Sequence, residues 1–95
     1  MKKYFIVSLV KNGILGGAIV ADSEAITYRT GKLTVAKEYR NLKMKYADID
    51  SVSVGRLLLF PTVTIKMQRQ GEHKFIVFGR KRFINTLKEM GVEVE

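Results

Sequence analysis

Apolar and polar positions alternate along this chain in short runs, broken at fairly even intervals by turn-forming residues. The breaks are Asn12-Gly13, Asp22-Ser23, Thr30-Gly31, Asp48-Ile49-Asp50 and Gln70-Gly71, residue types whose backbones leave the extended region readily. The runs between them read as strands near 3–10, 16–21, 25–30, 39–46, 51–56, 62–69 and 72–78. Alternation is clearest where Leu42, Met44 and Tyr46 oppose Asn41, Lys43 and Lys45. It is nearly as clear where Val63, Ile65 and Met67 oppose Thr62, Thr64, Lys66 and Gln68. Such strands rest one face on a core and turn the other to water. Gln70-Gly71 predicts a tight hairpin between the last two strands, whereas Leu33-Thr34-Val35 fits either a hairpin extension or a loop.

After Gly79 the period changes. Phe83, Ile84, Leu87 and Met90 recur at helical spacing, with Lys81, Asn85, Lys88 and Glu89 between them, so one amphipathic helix is expected from Arg80. Gly79 allows the bend into it and Gly91 stands where a left-handed residue would end it. A curled sheet of seven strands leaves one end of its core open, and this helix is placed to plug it. The expected fold is mainly β: seven antiparallel strands forming a barrel or sandwich, capped by one C-terminal helix.

Two stretches break the alternation. Leu57-Leu58-Leu59-Phe60 puts four large apolar residues in a row before Pro61, and one core cannot take all four,. They either form a bulged strand end packed under the helix or a hydrophobic contact patch for self-association or a protein partner. Tyr4 to Val10 is apolar on both faces and poses the same question. Pairing between edge strands of two chains is a further route to association.

Composition narrows the chemistry. Ninety-five residues suffice for a single domain over 1–95,. The 46% hydrophobic and 27% charged residues exclude a disordered chain,. With no Cys and one His, disulfides, thiolate chemistry and ordinary transition-metal sites are not expected, and no cofactor is implied,. No apolar run reaches the length of a membrane span. Met1-Lys2-Lys3 before Tyr4 to Val10 resembles a secretory leader, but Lys11 and Asn12 interrupt the run and Ala21-Asp22 is a poor cleavage site,. A cytoplasmic location is expected, with peripheral membrane attachment as the alternative.

The succession of seven strands and a helix resembles the pleckstrin-homology (PH) superfold, in particular its GRAM-like and bacterial PH-like branch. Gly16 to Arg29 is similar to the family's pair of apolar strands around an acidic turn. Met44 to Val52 is similar to its strand, short acidic turn with a buried Ile, and next strand. Lys74 to Phe78 followed by Arg80 to Met90 is similar to its last strand and capping helix. The resemblance implies a binding or scaffolding module and an open barrel end where headgroups bind. The basic cluster after the first strand is reduced to Lys11, and the helix Trp of eukaryotic members is missing.

A formal charge of +8 favours anionic partners,. In an antiparallel meander the turns alternate between ends. Lys11, Arg29, Lys32, Lys37, Arg40, Arg69 and Lys74 are therefore expected at one end, as a candidate anionic-headgroup site, with Asp22, Glu24, Asp48 and Asp50 at the other. These bases also suit a plain solvated surface. His73 lacks a nucleophile or orienting partner in the pattern and is expected as an exposed hairpin residue. Asp48 and Asp50 suit turn capping better than acid–base work, and Gly16-Gly17 lacks the rest of a phosphate loop. A non-enzymatic binding module is expected. Protein contact through Leu57, Leu58, Leu59 and Phe60 comes first, and anionic membrane lipid through the basic end second. Single-stranded nucleic acid is disfavoured, because Tyr28, Tyr46 and Phe75 sit at core positions.

Overall fold

Local pairing builds most of the sheet. The computed structural model of the protein describes residues 2–31, 37–69 and 71–95. Its strands are β1 (Lys3–Val10), β2 (Ile14–Ala21), β3 (Ala25–Arg29), β4 (Asn41–Lys45), β5 (Ile49–Leu57), β6 (Phe60–Met67) and β7 (Glu72–Val77). One helical turn, α1 (Lys37–Arg40), precedes β4, and α2 (Arg80–Glu89) follows β7. The strand order is β4-β3-β2-β1-β7-β6-β5 and the pairings are antiparallel. Two meanders, β1–β4 and β5–β7, are thus joined through the non-local pair of β1 with β7.

β4 and β5 lie at opposite edges of this ladder, yet only a 3-10 turn over Tyr46–Asp48 connects them. That short link forces the sheet to curl into a half-barrel,. Tyr46 fastens the corner: its N–H donates to the Glu24 carbonyl (3.0 Å) and its hydroxyl to the Asp22 carbonyl (2.8 Å). Gln68 N–H donates to the Asp48 carbonyl (2.9 Å), which brings β6 to the same corner.

The inward residues follow the period of two. Phe5, Val7 and Leu9 of β1, Val63 and Ile65 of β6, and Phe75 and Val77 of β7 are buried with Ile19, Tyr28 and Met44. Tyr28 brings a hydroxyl into this core and donates it to the Leu15 carbonyl at 2.6 Å. Its ring passes under Gly17, where a Cβ would lie 2.8 Å from a ring carbon. Only glycine fits there.

α2 closes the end of the half-barrel. Phe83 meets Phe5 edge-on with ring centroids 5.0 Å apart, and Leu87 is fully buried beside it. Gly79 (φ 78°) and Gly91 (φ 82°) are left-handed at its two ends, as the sequence predicts. Met90, however, is exposed and Thr86 is buried in its stead. The helix stops at Glu89, and Gly91 turns the chain so that Val92 covers the core. Thr86 tolerates burial because its hydroxyl donates to the Arg82 carbonyl (3.0 Å).

Several boundaries differ from the periodicity. Residues 39–40 lie in α1 rather than in a strand, while β2 starts two residues early at Ile14. β5 and β6 run to Leu57 and Phe60, which pair directly. Leu33-Thr34-Val35 lies outside the described residues. Among the described residues, no helix is long and apolar enough to cross a membrane.

Candidate functional site

The outward face of the sheet carries the unusual surface. Residues that pair across strands point to the same side, so one outward row can be followed from strand to strand. Leu57 pairs with Phe60 at one end and Ile6 with Ala18 towards the other. Phe78, just past β7, bridges them: its N–H donates to the Ile6 carbonyl (3.2 Å) and its ring meets Phe60 edge-on at 6.4 Å. Tyr4 lies two residues from Ile6 on the same side. Leu58 and Leu59 form the two-residue loop that joins β5 to β6.

These side chains are in water. Exposure is 62% for Tyr4, 71% for Ile6, 85% for Leu58, 90% for Leu59, 43% for Phe60 and 50% for Phe78. Large apolar side chains exposed in one row and at its adjoining hairpin tip are the kind of surface that marks a contact site,. Leu57 is half-buried in the same row. The bulged end packed under the helix is therefore not what forms, because the hairpin projects its leucines outward. The clue in the sequence was the apolar character of both β1 faces. The join of Ile6 to Phe78 depends on the β1–β7 register, which has no local signature.

The expected basic end is divided. Lys11 holds its ammonium 4.8 Å from the centroid of Tyr39, whose ring meets His73 at 6.5 Å. Lys37 and Arg40 share the helical turn with Tyr39, and Lys74 is paired with Val10. Lys11, His73, Lys74 and the acidic Glu72 line a cleft of about 330 Å³. Arg29 points to the outer face, opposite Ala18 and Asn41. Arg69 lines a second groove of about 380 Å³ together with Lys43 and Asp48. The separation of acidic from basic turns expected of a flat meander fails here, because the curl carries the Asp48 corner to the end of β6. Lys32 lies outside the described residues.

His73 is half-buried rather than exposed. Burial, and then the Lys11 charge, hold its imidazole below the ordinary 6.5. Asp22 caps its turn as the sequence suggests: its Oδ1 accepts from the N–H groups of Glu24 (2.8 Å) and Ala25 (2.9 Å). Those bonds, the first to Glu24, keep its carboxyl below the ordinary 3.8.

Fold and surface together define a small curled antiparallel sheet closed by one C-terminal helix, with an apolar outer face. No protein-family model and no curated protein sequence matches the chain. Among solved structures it is similar to the C-terminal domain of an unknown protein from Leishmania infantum, with a TM-score of 0.77 at 10% identity. The match covers 93% of this chain and 80% of that one. A likeness at that identity speaks to the fold alone.

Proposed function

We propose that the chain is a non-catalytic, cytoplasmic PH-like binding module that acts through protein–protein contact at its outer apolar face. The observation that carries this reading is the row of Phe60, Phe78, Ile6 and Tyr4 on the outer face, continued by the exposed hairpin tip at Leu58 and Leu59. Fully burying a large apolar side chain yields about 1.5–3 kcal/mol, so covering this exposed row favours docking. The strand order and the C-terminal helix support the PH-like assignment, which rests otherwise on the sequence resemblance.

Anionic lipid at the basic end is the weaker reading, because Lys11 and Lys74 line one groove, Arg69 another, and Arg29 the outer face. Lys11 is also engaged with Tyr39, and Glu72 adds a negative charge to the cleft.

Two experiments separate the readings. Vesicle flotation at 0.15 M salt, neutral against anionic lipid, should recover no anion-dependent binding. Cross-linking in native cells should yield protein adducts that disappear with Ile6→Lys or with Leu58 and Leu59 both changed to Ser. Flotation that is lost on reversing Lys11 and Lys74 to Glu would favour the lipid site. Adducts unchanged by both face variants would end the proposal.

A further inference from the structure

The geometry points to a second copy of this chain as the occupant of the outer face. This inference rests on the protein-contact reading above and adds the partner's identity and the geometry of the pair. Three observations lead to it. The first is area: the exposed row and its adjoining hairpin tip are on the order of the 800 Å² that each partner contributes to a standard stable interface,.

The second is the shape of the row. Its side chains are large from Leu57 through Phe60 and Phe78 to Ile6, drop to Ala18, with Gly16 two residues away on the same side of β2, and rise again at Arg29 on β3. A Cβ at Gly16 would meet nothing within 4 Å. A face with a high apolar end and a low strip between Ile6 and Arg29 offers that strip to its own high end under a two-fold rotation. The aromatic end of one copy then lies over the Ala18 shelf of the other. Two-fold dimers of this kind use the same patch on both subunits.

The third is that the sheet edges are poorly suited to pairing, which directs association to the face. On the free side of β5, Val52 N–H donates to the Glu93 carbonyl (2.9 Å) and its carbonyl accepts from Glu95 N–H (2.7 Å). Arg80 Nη1 donates to the Gly55 carbonyl at 2.7 Å. The other edge, β4, is only five residues long and presents Lys43 and Lys45 to solvent. Short charged edges and occupied backbone groups both discourage strand addition.

Sedimentation velocity of the purified chain in 0.15 M salt, from about 1 to 500 µM, tests the inference. The expected result is a concentration-dependent monomer–dimer equilibrium. Ile6→Lys, at the centre of the row, should weaken the dimer at least 100-fold. Ala18→Arg should do so too, although it removes none of the large apolar groups. Leu59→Ser sits in an exposed loop where folding is not at stake, and should weaken it at least several-fold. A chain that stays monomeric to 500 µM overturns the inference. If its cross-linked adducts still depend on Ile6, the broader protein-contact reading survives that result. A dimer indifferent to all three variants places the interface elsewhere and overturns it equally.

Discussion

Leu58 combines two disfavoured properties. Its backbone has φ 56° in a two-residue hairpin loop, a position that favours glycine, and its side chain is 85% exposed,. An L-residue pays about 1–2 kcal/mol for that backbone region, partly offset by the extra chain entropy of glycine. Leu58→Gly should therefore raise the stability of the monomer by about 0.5–1 kcal/mol, measured by urea denaturation at low micromolar chain concentration. The same variant should weaken self-association. A variant that loses both stability and association would show instead that Leu58 supports the fold. His73 makes a second residue-scale prediction. Its folded-state pKa lies below 6.5, so between that value and 6.5 the unfolded chain binds more protons,. Its neutral form is accommodated fully above pH 6.5, and stability falls as pH drops through 6.5 towards the folded value. Relative to His73→Gln, the wild-type chain should lose stability between pH 7 and 5. Parallel stability curves would remove His73 as the source.

At the scale of elements, neighbouring glycines on β2 face opposite environments. Gly17 lies over the Tyr28 ring and the Arg29 carbonyl, while Gly16 faces open space. Gly17→Ala should cost about 1–3 kcal/mol by overpacking, whereas Gly16→Ala should lie within about 0.5 kcal/mol of wild type; paired thermal melts decide. The plug helix is more sensitive still, and Phe83→Ala should cost about 3–5 kcal/mol. Alternation made most strands legible, because a half-buried strand writes its inward face at every second residue. β6 and β7 show this within two residues of their observed ends. The β5–β6 hairpin was obscured because its loop is Leu58-Leu59, which carries none of the usual turn chemistry. The start of β4 was obscured because a single helical turn over Lys37–Arg40 is too short to establish a period. In α2, Thr86 replaces Met90 in the core because helix length is set by Gly91, and hydropathy alone does not register a satisfied hydroxyl.

At the scale of the whole molecule, apolar area and net charge oppose each other. The sequence reveals both quantities but not their arrangement: Ile6 meets Phe78 only through the β1–β7 register, and Arg69 shares a groove with Asp48 only through the curl at Tyr46. Two bodies of charge +8 brought to about 26 Å, the shortest extent of the molecule, repel by about 10 kcal/mol in unscreened water,. Screening lowers this to about 5 kcal/mol at 0.01 M salt and about 1 kcal/mol at 0.15 M, while apolar burial hardly changes over that range. Self-association through the outer face should therefore tighten with salt, by two to three orders of magnitude between 0.01 and 0.15 M. Binding of an anionic vesicle or a nucleic acid by the same +8 chain must move in the opposite direction, since salt screens the attraction that drives it. A sedimentation series across salt thus reads the sign of the dominant force directly. Association that strengthens as salt rises marks an apolar contact working against charge, and association that melts away marks charge as its cause.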